Sequence, residues 1–117
     1  MITELKQNQV FVFGSNKDGI HAGGAANQAH KQFGAEWGVG EGLTGRCYAL
    51  PTMEGKGAFV HAIDTFQHCV WSHPKLTFLL TKVGTGIAGY SENEVRIMFN
   101  HAFRNGWPKN LIKPEDW

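Results

Sequence analysis

The chain has 117 residues, a formal net charge of +1 and 42% hydrophobic residues, enough for one core and too little for a second domain. Its eleven Lys and Arg are scattered between Lys6 and Lys113 without a run, so there is no electrostatic footprint for a nucleic-acid partner. The longest apolar run, Leu76 to Leu80 with Thr77 inside it, is far too short to span a bilayer, and the polar start Thr3 Glu4 Leu5 Lys6 Gln7 lacks a signal-peptide core. A soluble, cytoplasmic protein with no membrane partner is therefore expected.

In chain order, Val10 Phe11 Val12 Phe13 reads as a buried strand that ends in the polar loop Gly14 Ser15 Asn16 Lys17 Asp18 Gly19 Ile20 His21. A helix follows over about Gly24 to Phe33, with Ala22, Ala25, Ala26, Ala29 and Phe33 as a narrow apolar stripe whose small residues allow tight packing on a sheet. Trp37 to Arg46 is a glycine-broken segment, and Cys47 Tyr48 Ala49 Leu50 is a short strand stopped by Pro51. From Ala58 to His73, Phe59, Ile63, Phe66 and Val70 recur at helical spacing until Pro74 ends the helix. Leu76 to Lys82 is the next strand. A third helix over about Glu92 to Arg104 buries Val95, Met98, Phe99, Ala102 and Phe103, with Asn105 Gly106 at its exit. A last strand lies near Asn110 to Lys113. Alternation of strand and helix predicts an α/β fold: a single three-layer α/β/α domain over residues 1–117 with a mostly parallel or mixed sheet. Cys47 and Cys69 have no metal-type spacing and read as reduced core residues.

Two strand-to-helix junctions carry the functional signal. In Val83 Gly84 Thr85 Gly86 Ile87 Ala88 Gly89 Tyr90, three glycines leave peptide N–H groups uncovered, and Ser91 with Glu94 three positions on is a capping-box signature for the next helix. Free N–H groups and the positive end of a helix dipole suit an anion. The first loop, with Gly23 and Gly24 before its helix, has the same layout. Loops at the carboxyl ends of neighbouring strands of an open α/β sheet share one crevice, so the two are expected to line opposite sides of one ligand.

On these residues the chain resembles the macrodomain superfamily, the ADP-ribose-binding α/β fold, in a compact version like that of small bacterial and phage proteins. Asn16 with Gly23 Gly24 Ala25 Ala26 is similar to the macrodomain strand end, glycine-rich loop and Ala-rich helix. Glu41 Gly42 Leu43 Thr44 Gly45 Arg46 followed by Tyr48 Ala49 Leu50 Pro51 is similar to a turn before a strand. Val83 to Tyr90 resembles the second phosphate loop. The resemblance implies an ADP-ribose-like nucleotide ligand; no cofactor and no metal are expected. It places Gly14, Ser15, Asn16, Gly23, Gly24 and Ala25 on one side of that ligand. Gly84, Thr85, Gly86, Ile87, Ala88 and Gly89 are placed on the other, with Tyr90 packed on a ribose or base or anchoring the loop. Nine residues precede the first buried strand, and the macrodomain element that reads the adenine amino group has no match there.

Hydrolysis of an ADP-ribose linkage needs a positioned polar group and a proton acceptor near the reacting atom. Asn16, Asp18 and His21 share one loop and are the candidates, although Asp18 Gly19 is also an ordinary turn and a lone loop histidine is commonly solvent-exposed. Glu41 is a weaker candidate. His61 and His68 share a helix without a third ligand, and Ser15 lacks a nucleophile elbow. Two other readings stay open. One is a different nucleotide-binding α/β domain; the other is a non-catalytic interaction protein using Trp37, Trp107 and Trp117. The sequence sets no oligomeric state.

Overall fold

The run Val10 to Phe13 is apolar on both faces, the mark of a central strand covered by helices on both sides. In the computed structural model, which describes residues 2–117, it lies within β1 (Gln9–Ser15), the middle of a five-stranded sheet. The other strands are β2 (Gly42–Thr44), β3 (Cys47–Pro51), β4 (Thr77–Leu80) and β5 (Leu111–Ile112), in the order β2-β3-β1-β4-β5. β1 pairs in parallel with β3 on one side and β4 on the other, with Phe11 opposite Cys47 and Leu79. β4 pairs in parallel with β5, and only β2 runs antiparallel, to β3. The sheet is thus mixed and mostly parallel.

Three helices cover it: α1 (Gly24–Phe33), α2 (Lys56–Ser72) and α3 (Glu92–Ala102). Phe11 and Phe13 face α1, packing with Ala26, Ala29, Phe33, Cys47 and Ala49. Val10 and Val12 face the other way, toward the larger cluster that α2 and α3 build with Tyr48, Leu50, Phe78 and Leu80. All four residues of the α2 stripe, Phe59, Ile63, Phe66 and Val70, are fully buried. In the α1 stripe, Ala26, Ala29 and Phe33 are buried, but Ala22 is exposed, because the helix begins two residues after it.

The glycine-broken segment contains β2, which composition did not reveal: three residues with an exposed Leu43 carry too little pattern. It is fixed from outside, by a tight turn into β3 and by Glu36 N–H donating to Thr44 Oγ1 at 2.8 Å. Asn110 plays a similar long-range part, its amide reaching the carbonyls of Val70, His73 and Leu76, each at 3.0 Å. Those bonds tie the end of α2 to the chain entering β5.

The centre of the larger cluster is Phe66, whose ring lies 4.9 Å from Tyr48 and 5.8 Å from Phe78. Phe66→Ala is expected to cost about 3–5 kcal/mol through lost contacts and a cavity, a large share of the ~5–15 kcal/mol typical of a domain. Urea unfolding checks it; a loss under about 1 kcal/mol would show that this cluster is not the stabilising core. Among the described residues no helix is long and apolar enough to cross a membrane.

Candidate functional site

β1 and β4 are parallel neighbours, yet the chain leaving β1 enters α1 on one face while the chain leaving β4 enters α3 on the other. Divergence of that kind opens a crevice at the carboxyl ends of the strands. Here its volume is about 670 Å³, within the range of sites that take a nucleotide-sized ligand. One wall is Gly14, Ser15, Asn16, Gly23, Gly24 and Ala25, and the facing wall is Gly84, Thr85, Gly86, Ile87 and Ala88. The loops approach closely: a Cβ on Gly14 would stand 3.6 Å from the Gly84 nitrogen.

The uncommitted donors along this lining are backbone N–H groups. α1 has Gly23 as an extended N-cap with no side-chain cap, and its first internal bond from that end runs from Asn27 N–H to the Gly23 carbonyl. Among the described residues nothing accepts from the N–H of Gly24, Ala25 or Ala26, nor, across the crevice, from Gly86, Ile87 or Ala88. The sequence expectation that α3 supplies the helix dipole needs correction. Ser91 Oγ accepts from Glu94 N–H at 3.1 Å and Glu94 Oε1 from Ser91 N–H at 3.0 Å, so the α3 start carries its own side-chain cap, and it does not line the crevice. Those bonds hold the Glu94 carboxyl below its usual range. α1 and α2 both begin without a side-chain cap, at Gly23 and Gly55, and of the two only the α1 terminus lines the crevice.

Side chains around the crevice are committed elsewhere. The hydroxyl of Thr81 donates to the Val12 carbonyl and that of Thr85 to the Lys82 carbonyl, both at 2.7 Å, and Ser15 Oγ donates to the Gly40 carbonyl. Lys82 is the one charged residue among those lining it. Its ammonium lies 3.0 Å from Asp116 and 3.1 Å from Glu92, and the hydrogen bond to Asp116, then that to Glu92, raises its pKa. No carboxylate lines the space, and Ile20, Met53 and Ile87 give it an apolar rim, Ile87 being 93% exposed.

The three candidates for catalysis are not gathered at its mouth. Asn16 lines the crevice, but its Nδ2 donates to the Ile20 carbonyl at 3.1 Å and its Oδ1 accepts from Ile20 N–H at 3.0 Å, closing the loop. Asp18 is exposed and outside the lining. His21, far from being solvent-exposed, is 0% exposed, edge-on to Phe13 at 5.2 Å, with Nε2 3.0 Å from the Glu36 carbonyl and Nδ1 without a partner. The cause lies in the turn. Gly19 has φ +66° and sits against Gly38, where any Cβ would meet backbone at 2.3 Å, so the chain dives inward before residue 21. Asn16→Ala should therefore loosen this loop and lower stability by about 1 kcal/mol through two lost bonds, with faster amide exchange at Ile20 as the measurement.

Tyr90 packs on Phe59 at 5.2 Å, half-buried in the α2–α3 cluster; neither it nor Gly89 lines the crevice. Residues that sequence reasoning missed are Ile20, Ala22, Ala26, Thr52, Met53, Thr81, Lys82 and Val83. Thr52 and Met53 follow β3, whose carboxyl end borders the same opening once β3 is known to pair with β1. Burial pushes the Cys47 thiol up to about 12, against weaker opposing effects of the Ala35 backbone and Arg46, and it raises Cys69 as well. Neither supplies a thiolate. Among the described residues no three His, Cys, Asp or Glu are grouped to hold a metal ion. No family model matches the chain, and no curated protein or solved structure matches it.

Proposed function

We propose that the crevice binds ADP-ribose or a related nucleotide diphosphate, in the manner of a compact macrodomain, with the diphosphate held between the α1 terminus and the 86–88 loop. The observation that carries this reading is the pair of facing N–H sets, Gly24 to Ala26 and Gly86 to Ala88, unpartnered on opposite walls of one crevice. Backbone donors and an uncapped helix end neutralise a phosphate without a cation, and here the one lysine is already paired. A diphosphate spans two walls where a monophosphate reaches one.

Binding without hydrolysis is the form the geometry favours. Asn16 spends its amide on the loop, Asp18 lies outside, and His21 is sealed beneath Phe13 and Trp37, so no general base reaches a ligand's anomeric carbon. The interaction-protein reading has less support, since Trp37 packs edge-on with His21 and His30 while Trp107 and Trp117 belong to a separate cavity. Calorimetric titration with ADP-ribose, ADP, AMP and NAD is the test. Saturable binding of ADP-ribose and ADP, weaker for AMP, is expected; equal affinity for AMP would remove the two-wall account, and no binding of any of them would remove the function. Incubation with ADP-ribosylated protein should release no free ADP-ribose by mass spectrometry.

A further inference from the structure

Six side chains with polar atoms line the crevice, and each is already bonded within the protein. Thr52 Oγ1 donates to the Ser15 carbonyl at 3.4 Å, Ser15 Oγ to the Gly40 carbonyl, Thr81 Oγ1 to that of Val12 and Thr85 Oγ1 to that of Lys82. A hydroxyl has a single proton, so these four have no donor left for a ligand. Asn16 closes both ends of its amide on the Ile20 backbone, and Lys82 divides its ammonium between Glu92 and Asp116.

The lining side chains that reach solvent most are apolar. Ile20 is 48%, Met53 44% and Ile87 93% exposed, and they come from three segments: the loop after β1, the chain after β3 and the loop after β4. Exposed apolar side chains in a binding crevice gain by covering apolar surface on the ligand. A nucleobase offers such surface on its ring face, and every base has that face. Bases of one size differ in the donors and acceptors on their edges. A site rejects the wrong edge strongly when its own polar groups are left unpaired by it, whereas apolar contact separates isosteres weakly.

We infer that the crevice takes nucleoside diphosphates as a class, with the base held by apolar contact on Ile20, Met53 and Ile87 and its edge unread. The inference rests on the diphosphate reading given above and sets its ligand class: the diphosphate selects, and the base adds affinity without identity.

Calorimetric titration of the intact chain with ADP, GDP, CDP and UDP tests it. ADP and GDP match in size and differ in the groups on the base edge, as do CDP and UDP. Within each pair the Kd values are expected to agree within about threefold, below the roughly fivefold that one hydrogen bond to the edge supplies. A larger gap within either pair overturns the inference and leaves the diphosphate reading standing; no binding of any of the four removes both. The triple variant Ile20→Ser, Met53→Ser, Ile87→Ser changes only exposed side chains. It should keep its melting temperature and weaken all four nucleotides by a common factor of about tenfold. Unchanged affinity in that variant, or a loss confined to one nucleotide, would each overturn the apolar contact assigned to the base.

Discussion

Gly23→Asp is expected to make the protein more stable and to abolish ADP-ribose binding. Gly23 is the N-cap of α1, extended at φ −154° with no side-chain bond, and a Cβ there would meet nothing within 4 Å. An aspartate at that position accepts from the orphan N–H groups of the first turn and places a negative charge on the positive end of the helix. The gain is about 0.5–1 kcal/mol, read as a melting temperature a few degrees higher. Those N–H groups are the ones assigned to phosphate, so the new carboxylate both occupies and repels. A loss of at least about a hundredfold in affinity follows from forfeiting two charge-assisted bonds. Gly23→Ala is the control, adding a Cβ without a cap or charge: binding should stay nearly unchanged while stability falls by about 0.5–1 kcal/mol, because alanine is a poorer N-cap than glycine. Stabilisation with undiminished binding would show that the α1 terminus is not the anion site. The opposite signs matter: a damaged fold lowers both readouts together.

Why the crevice was partly legible in the sequence follows from which of its parts are local. Glycine loops after apolar runs, the Phe59, Ile63, Phe66, Val70 stripe and the Ser91–Glu94 capping box are all written within a few residues, and each has its expected structural counterpart. What was illegible depends on partners far along the chain. Lys82 goes unmarked in the sequence beyond ending a strand, and its partner Asp116, which takes its ammonium, stands thirty-four residues on. His21 reads as a loop histidine, but Gly38 against Gly19 and the Glu36 carbonyl pull it into the core. α3 reads as the anion-binding helix because its cap residues mark a helix start beside a glycine loop, whereas in the fold those same side chains fill the cap themselves. A helix start with no cap, as at Gly23 in the sequence Ala22 Gly23 Gly24 Ala25, is the stronger sequence sign of a vacant N-terminus.

The second loop separates structural from ligand-facing glycine within three residues. Gly84 has φ +79°, and a Cβ on it would lie 2.7 Å from the Phe59 ring. Phe59 is fully buried and has nowhere to move. Gly84→Ala thus combines left-handed strain of about 1–2 kcal/mol with overpacking of about 1–3 kcal/mol, and a loss of several kcal/mol in urea unfolding is expected. Gly86 is exposed, outside the left-handed region, and a Cβ on it meets nothing within 4 Å. Gly86→Val should change stability by no more than about 0.5 kcal/mol, as at an unconstrained surface position. Its branched side chain nevertheless covers the N–H groups of residues 86 and 87 and keeps a phosphate from reaching them. Affinity for ADP-ribose should fall by about a hundredfold or more, the value of two bonds to a charged group. Measured side by side, the two variants form a cross: one loses the fold, the other loses the ligand. If Gly86→Val binds as the parent does, the 86–88 loop is only a turn, and the facing N–H sets have to be given another purpose.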